Sequence, residues 1–319
     1  MSGPQPAPQT HRHWAQLAEV GNVAGFKSML WLNRWCGRGA VALALAPAML
    51  YFMACRPQSR RASLHFLRTH YRARPEMWRR PPGWGAVFRH FMAFGEAVGD
   101  KFEAWTRPLD PSDFALADRG AVQRLLEDER GQLIIGSHHG NLEFCRGFVQ
   151  RYRGKTINVL LYDKHARHFT RSMQAHNPDS RINIFQVDAL DIALMLKLRD
   201  AVGRGEWVFI AGDRIPVTPG GRTVEVEFLG RPAPLPIGPY MLAQSLQCPV
   251  KLMFAYRDAR AKVHFDVVEF AERVQLPRGQ RDAELAQLAQ RFASELEQRV
   301  LEAPLQWFNF YPFWSEVKA

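Results

Sequence analysis

Gln132-Leu133-Ile134-Ile135-Gly136-Ser137-His138-His139-Gly140-Asn141-Leu142-Glu143 contains a change of structural period. Its first half, QLIIGS, is a short unbroken apolar run, the pattern of a strand covered on both faces. From 141 to 152 the apolar residues Leu142, Phe144, Cys145, Phe148 and Val149 return at helical spacing. Gly140 permits a tight turn between the two periods, and Asn141 suits a helix cap. His138 therefore falls where a buried strand ends, with Glu143 about one turn into the helix that follows. Catalytic groups of open α/β sheets collect at such strand ends.

The same alternation continues on both sides. A helix is expected at 121–129, strands at 156–162 and 181–187, helices at 167–176 and 189–202, and a buried strand at 207–211. Beyond these the spacing predicts an edge-like strand at 223–228, a helix at 237–246, a strand pair at 250–256 and 262–270, and a long amphipathic helix at 282–301. The fold class is α/β, with a mixed, largely parallel central sheet flanked by helices. The division expected is a loose tail at 1–13, an N-terminal helical membrane-associating region at 14–107 and an α/β core at 108–319.

The membrane enters through 14–55. Apolar residues recur at helical spacing from 14 to 35, and VALALAPAMLYFMAC (41–55) is a 15-residue apolar stretch interrupted by Pro47. A full crossing takes about 20 apolar residues. Arg56, Arg60, Arg61, Arg68, Arg72 and Arg74 follow, then Arg79 and Arg80, so this flank is expected on the cytoplasmic side of the inner membrane. A monotopic or barely spanning anchor fits; a buried core helix beside a solvated basic one is the plainer alternative. Residues 64–105 read as helical with a break at PPGW (81–84). The first ten residues lack the positive start of a secretory signal.

Composition narrows the partners. The chain has 319 residues, 47% hydrophobic and 12% aromatic, enough for a large core. Its net charge of +11 comes mainly from arginine, since only eight of the 42 cationic residues are lysine. Guanidinium groups suit phosphate, carboxylate and anionic lipid. Nucleic acid is disfavoured, because no zinc-finger spacing, ribonucleoprotein-type aromatic signature or clean helix-turn-helix is present. Cys36, Cys55, Cys145 and Cys248 form no CxxC pair and read as reduced thiols.

His138 and Glu143 suit acid-base chemistry. A carboxylate on one imidazole nitrogen fixes the tautomer and leaves the other nitrogen to take a proton. No GxSxG elbow supplies a serine nucleophile. A thioester donor is already activated, so a base and oxyanion donors suffice and no cofactor or metal is expected. Two alternatives stand beside this: a metal-dependent hydrolase using His138, His139 and Glu143, and a non-catalytic membrane-bound scaffold. Cys145 reads as a small buried hydrophobe, and His139 as a neighbour packed on the loop.

GSHHGNLE (136–143) resembles the first block of the bacterial lipid A biosynthesis (lauroyl/myristoyl) acyltransferases, within the lysophospholipid acyltransferase superfamily. The second block agrees in order: Gly212-Asp213-Arg214, Gly220-Gly221-Arg222, Val226-Glu227-Phe228-Leu229-Gly230 and Ile237-Gly238-Pro239. The likeness covers 14–314, including the aromatic run from Gln306 to Trp314. It implies that His138 and Glu143 are the catalytic pair, and that an acyl carrier protein or CoA thioester donates to a hydroxyl of a lipid or glycolipid acceptor. Gly140, Asn141, Asp213, Arg214, Lys164 and Arg171 are the substrate-binding candidates. Arg214 would hold a phosphate, phosphopantetheine or acceptor carboxylate; Lys164 and Arg171 lie in a basic stretch whose plainer reading is an exposed helix. Arg222 is either part of the same anion site or solvated surface, and the aromatic run is either core or lipid-facing. Arg214 stands where the family commonly has Gln and Glu227 where an apolar residue is usual, so the acceptor need not be a lipid A precursor. The chain is similar to the predicted acyltransferases of aryl-polyene and xanthomonadin-type pathways.

Overall fold

A computed structural model describes residues 23–106, 114–161, 181–186, 191–215, 222–258 and 262–314. The helix expected at 167–176 lies outside them. Helices α1 (Val23–Cys55), α2 (Pro57–Ala73) and α3 (Trp84–Thr106) come first. Then follow β1 (Phe114–Leu116), α4 (Arg119–Glu127), β2 (Gln132–Gly136), α5 (Leu142–Arg153), β3 (Ile157–Leu161), β4 (Ile182–Gln186), α6 (Ile192–Gly203) and β5 (Trp207–Ala211). The chain continues through β6 (Thr223–Phe228), β7 (Arg231–Pro236), α7 (Gly238–Leu246), β8 (Val250–Arg257), β9 (Val263–Ala271) and α8 (Arg281–Glu302).

Seven strands form one sheet in the order β1-β9-β8-β2-β5-β3-β4, parallel throughout except for the antiparallel β8/β9 pair. The period of two sorts the strand residues onto two faces. Leu133, Ile135, Val208, Ile210, Leu252 and Phe254 pack into one core. Ile134, Trp207, Phe209, Met253 and Ala255 pack into the other, with Phe144, Cys145 and Phe148 of α5. This two-sided burial explains the unbroken apolar runs at 132–136 and 207–211.

Three elements depart from the sequence expectation. Helix α1 is continuous through Pro47, where an interruption was expected. A short strand, β1, pairs with β9 at Phe114↔Val263, which three residues of pattern could not announce. β7 was not expected either, because Pro232, Pro234 and Pro236 occupy alternate positions of the strand. It pairs antiparallel with β6 in a separate two-stranded sheet. With a period of two, the three prolines share one edge; a ladder survives when that edge faces away from β6.

Helices α2 and α3 dock on the segment that follows α8, and histidines make the connection. His90 of α3 donates from Nε2 to the carbonyl of Trp307 (3.0 Å), and its Nδ1 accepts from the Ser63 hydroxyl of α2 (2.8 Å). His70 of α2 donates from Nε2 to the carbonyl of Leu301 (3.2 Å), while the Trp78 indole donates to its Nδ1 (3.0 Å). An indole is a donor only, so His70 is neutral with its proton on Nε2. His139 donates from Nε2 to the carbonyl of Ala303 (3.2 Å). Phe66 sets its ring 4.9 Å from that of Trp307, and Arg257 of β8 forms a two-pronged ion pair with Asp100 of α3.

Burial lowers the pKa of all three histidines, against the opposing pull of their carbonyl partners, and brings His90 and His139 to about 4. Above pH 6.5 folded and unfolded chains both hold these rings neutral, so stability does not depend on them. Below pH 6.5 the unfolded chain takes up protons that the folded one refuses, and stability falls until the folded rings also titrate. His90 and His139 should each cost on the order of 3 kcal/mol across the whole window. We expect the urea midpoint in detergent micelles to be flat from pH 8 to 7 and to fall steadily from about 6.5 to 5. His90→Gln should flatten part of that slope; a midpoint constant across the acid window would refute the assignment.

Candidate active site

The site sits at the carboxyl ends of β2 and β5, which are neighbours in the sheet. Their register pairs Gly136 with Ala211. His138 and Asp213 each lie two residues further along, so the two exits carry them to the same place. The Gly212 N–H donates to the carbonyl of Gly136 (2.9 Å), holding the exits together.

Asp213 accepts three hydrogen bonds. Its Oδ1 lies 2.8 Å from His138 Nδ1, and its Oδ2 accepts from the His138 backbone N–H at 2.9 Å and from the Trp307 indole at 3.2 Å. The carboxylate is 2% exposed, whereas the imidazole is 31% exposed. Burial opposes ionisation of Asp213, but the adjacent His138 charge and hydrogen bonds, with Arg214 nearby, hold its pKa at about 2. The result is an ionised, buried acceptor under a partly open ring. Nδ1 is thus the ring nitrogen that meets Asp213.

Glu143 stands in the first turn of α5. Its Oε2 accepts from Arg146 Nε at 2.6 Å, and Arg146 in turn donates to the carbonyl of Ala104 in α3 (3.2 Å). Asp213 thus supplies a carboxylate to the His138 ring, and Glu143 forms an (i, i+3) pair with Arg146 on α5. Both groups of that pair are largely buried, Arg146 at 6% and Glu143 at 17% exposure.

The loop between β2 and α5 is held by the main chain. Gly140 has φ +71°, and a Cβ there would sit 2.0 Å from the carbonyl oxygen of Ala255, so both its turn and its close approach require glycine. The Gly140 N–H donates to the carbonyl of Gln306 (2.8 Å) and that of Asn141 to the carbonyl of Ala255 (2.7 Å). The Asn141 side chain accepts from the Glu143 N–H (3.0 Å) and donates to the carbonyl of Ala97 (3.2 Å). These two residues therefore shape and cap the loop, and their main-chain donors are already spent on protein carbonyls.

Arg214 adjoins Asp213 and donates to the carbonyl of Phe308 at 3.1 Å, while the Phe308 N–H donates to the carbonyl of His138 (3.0 Å). It is partly exposed, and its charge acts on Asp213. Arg222 is mostly exposed and pairs with Asp282 (3.3 Å), a surface contact. Lys164, Arg171, Gly220 and Gly221 lie outside the described residues. His139 is buried, with its ring edge-on to Tyr256 (5.1 Å), so the adjacent histidines diverge. Among the described residues no group of three or more His, Cys, Asp or Glu side chains is placed to hold a metal ion. Burial pushes the Cys145 thiol far up, which suits a packing role.

Trp307 was noticed in the sequence only as part of an aromatic run. That run is largely core: Trp307, Phe308, Phe313 and Trp314 are buried. The indole bond to Asp213 is invisible without the fold, because 94 residues separate the partners. For Asp213 itself the signal was present, as the second residue after a strand whose counterpart after β2 is His138.

No curated protein matches the chain closely enough to count as a relative. The family model of the bacterial lipid A biosynthesis acyltransferases matches residues 87–316, which takes in α3, the whole sheet, both exits and Trp307. On that match, covering well over half its length, the chain belongs to the bacterial lipid A biosynthesis acyltransferase family.

Proposed function

We propose that the chain moves an acyl group from a thioester, on an acyl carrier protein or CoA, to a hydroxyl of a lipid or glycolipid at the cytoplasmic face of the inner membrane. Family membership supports acyl transfer to a lipid acceptor. The observation that carries the mechanism is the 2.8 Å contact between His138 Nδ1 and the buried Asp213 carboxylate. In this reading His138 Nε2 takes the proton of the acceptor hydroxyl as its oxygen attacks the thioester carbonyl. The tetrahedral oxyanion collapses, the carbon–sulfur bond breaks, and the imidazolium returns its proton to the departing thiolate. Asp213 fixes the tautomer and offsets the charge that the ring gains. Arg214 is the cation placed to hold a phosphate of the donor or acceptor beside that ring.

Glu143 retains a place in this reading by another route. The Glu143–Arg146 pair joins the first turn of α5 to the backbone of α3, so it positions the loop from which His138 projects. Arg214, where the family commonly has Gln, favours an anionic group near the acceptor hydroxyl.

Three outcomes are expected from thioester-dependent transfer assays on purified variants. His138→Ala should abolish turnover in a protein that still folds, with the thermal midpoint lowered because Asp213 loses the imidazole; near-normal rates would overturn the mechanism. Asp213→Asn should lower kcat by about a hundredfold or more, and should move the acid limb of the kcat/KM profile to lower pH, because the imidazolium loses its counter-charge. Glu143→Gln should leave that limb in place. If Glu143→Gln moves the limb and Asp213→Asn does not, the ring's working partner is Glu143. Glu143→Gln and Arg146→Gln should each slow transfer, with the double variant little worse than either; additive losses would show that the two do not act as a unit.

A further inference from the structure

We propose that Trp307 is a positioning residue for the reaction: its indole N–H orients the Asp213 carboxylate on the His138 ring and disperses part of the negative charge that the ring meets. The proposal rests on the catalytic reading of His138 and Asp213 given above, and adds to it a residue that acts through Asp213.

The carboxylate needs an attachment of this kind. Asp213 is 2% exposed and Trp307 is fully buried, so an oxygen that loses a protein donor there cannot recover one from bulk solvent. Oδ1 meets His138 Nδ1 (2.8 Å), and Oδ2 accepts from the His138 backbone N–H (2.9 Å) and the indole (3.2 Å). The two His138 donors sit on one residue, so they let the carboxylate move with it. The indole comes from the segment after α8 and supplies an independent point of attachment.

An attachment positions its partner only when it is itself held. The Trp307 ring centre lies 4.9 Å from that of Phe66, 5.1 Å from Phe228 and 4.9 Å from Phe313. Its main chain forms an isolated antiparallel bridge with His139, and the next residue, Phe308, donates to the His138 carbonyl (3.0 Å). The Trp307 carbonyl accepts from His90 Nε2 (3.0 Å). A distant segment is thereby locked in register with the loop that carries the imidazole.

The donor type matters as well. An indole N–H donates only, and its rings fill apolar space. It lessens the charge density of the carboxylate without cancelling it, as a guanidinium in the same place would. Removing it should leave more charge facing the ring and favour the imidazolium. Among the described groups around this cluster, the others hold their charge near neutrality. Arg214, at the exit of β5, and Arg299 of α8, which acts on His139, stay cationic. Burial holds His139 on the site loop and His90 on α3 at about 4. Burial also pushes up the Tyr311 phenol, whose hydroxyl donates to the Asp213 carbonyl (3.4 Å). The Glu143 carboxylate is paired with Arg146 on α5.

The test is the titration midpoint of the His138 ring in full-length protein in detergent micelles. It is read by NMR from the Cε1–H resonance of isotopically labelled histidine, assigned by its loss in His138→Ala. Trp307→Phe should raise that midpoint by about half a pH unit, opposite in sign to the fall expected of Asp213→Asn. Phenylalanine also leaves a cavity and lowers stability. A second variant therefore carries β-(3-benzothienyl)alanine at position 307, which keeps the fused rings and replaces the N–H by sulfur. It should raise the midpoint equally, with a thermal midpoint near that of wild type. Phe313→Leu loosens the same aromatic cluster but keeps the donor; it should lower stability and leave the ring's midpoint in place. An unmoved ring in the benzothienyl protein, or a shift in Phe313→Leu as large as in Trp307→Phe, would overturn the proposal. If Asp213→Asn moves the ring and neither 307 variant does, Trp307 only packs and the catalytic reading stands. If none of the three moves it, the catalytic reading falls and the role of Trp307 with it.

Discussion

A buried carboxylate has to be satisfied from every side, and Asp213 is the group around which this chain solves that problem. At 2% exposure its charge is tolerated only because an imidazole, a backbone N–H and an indole converge on its two oxygens. The donors come from two distant parts of the chain: the exit of β2 supplies two, and the segment after α8 supplies the third. The strand pairing β2/β5, the loop geometry at Gly140 and the return of the chain after α8 must therefore all be correct before the charge is stable. The same requirement holds the His138 ring in one orientation, with part of it left open to solvent.

The segment from Leu301 to Phe308 binds the molecule together through its carbonyls. Leu301, Ala303 and Trp307 each accept from the Nε2 of a buried histidine, on α2, on the site loop and on α3 respectively. Gln306 adds its carbonyl to Gly140, and its side chain exchanges two bonds with the Arg257 backbone. Neutral imidazole is well suited to this work, since it supplies one directed N–H with apolar bulk around it and leaves no charge to bury.

Much of this was legible in the sequence, and the limits were physical. Strands buried on both faces announce themselves by unbroken apolar runs, which is why β2 and β5 were read within a residue of their ends. β7 was hidden because proline normally argues against a strand, and only its alternation and its edge position make it tolerable. The site was half legible. His138 and Asp213 were both recognisable as residues just past strand ends, but their contact depends on β2 and β5 being neighbours in register, and register is a property of the folded sheet. Spacing along one helix made Glu143 the natural partner. The fold also brings the Asp213 carboxylate to the ring, and gives Glu143 a guanidinium one turn along α5.

That exchange of partners bears on how the N-terminal helices relate to the chemistry. Phe66 of α2 packs on the Trp307 ring, His90 of α3 bonds to the Trp307 carbonyl, and the Trp307 indole bonds to Asp213. Arg146, paired with Glu143, reaches the α3 backbone, and Asn141 reaches it as well. Both carboxylates are thus one residue removed from α2 or α3, so the packing of the N-terminal helices on the rest of the chain fixes the position of both groups.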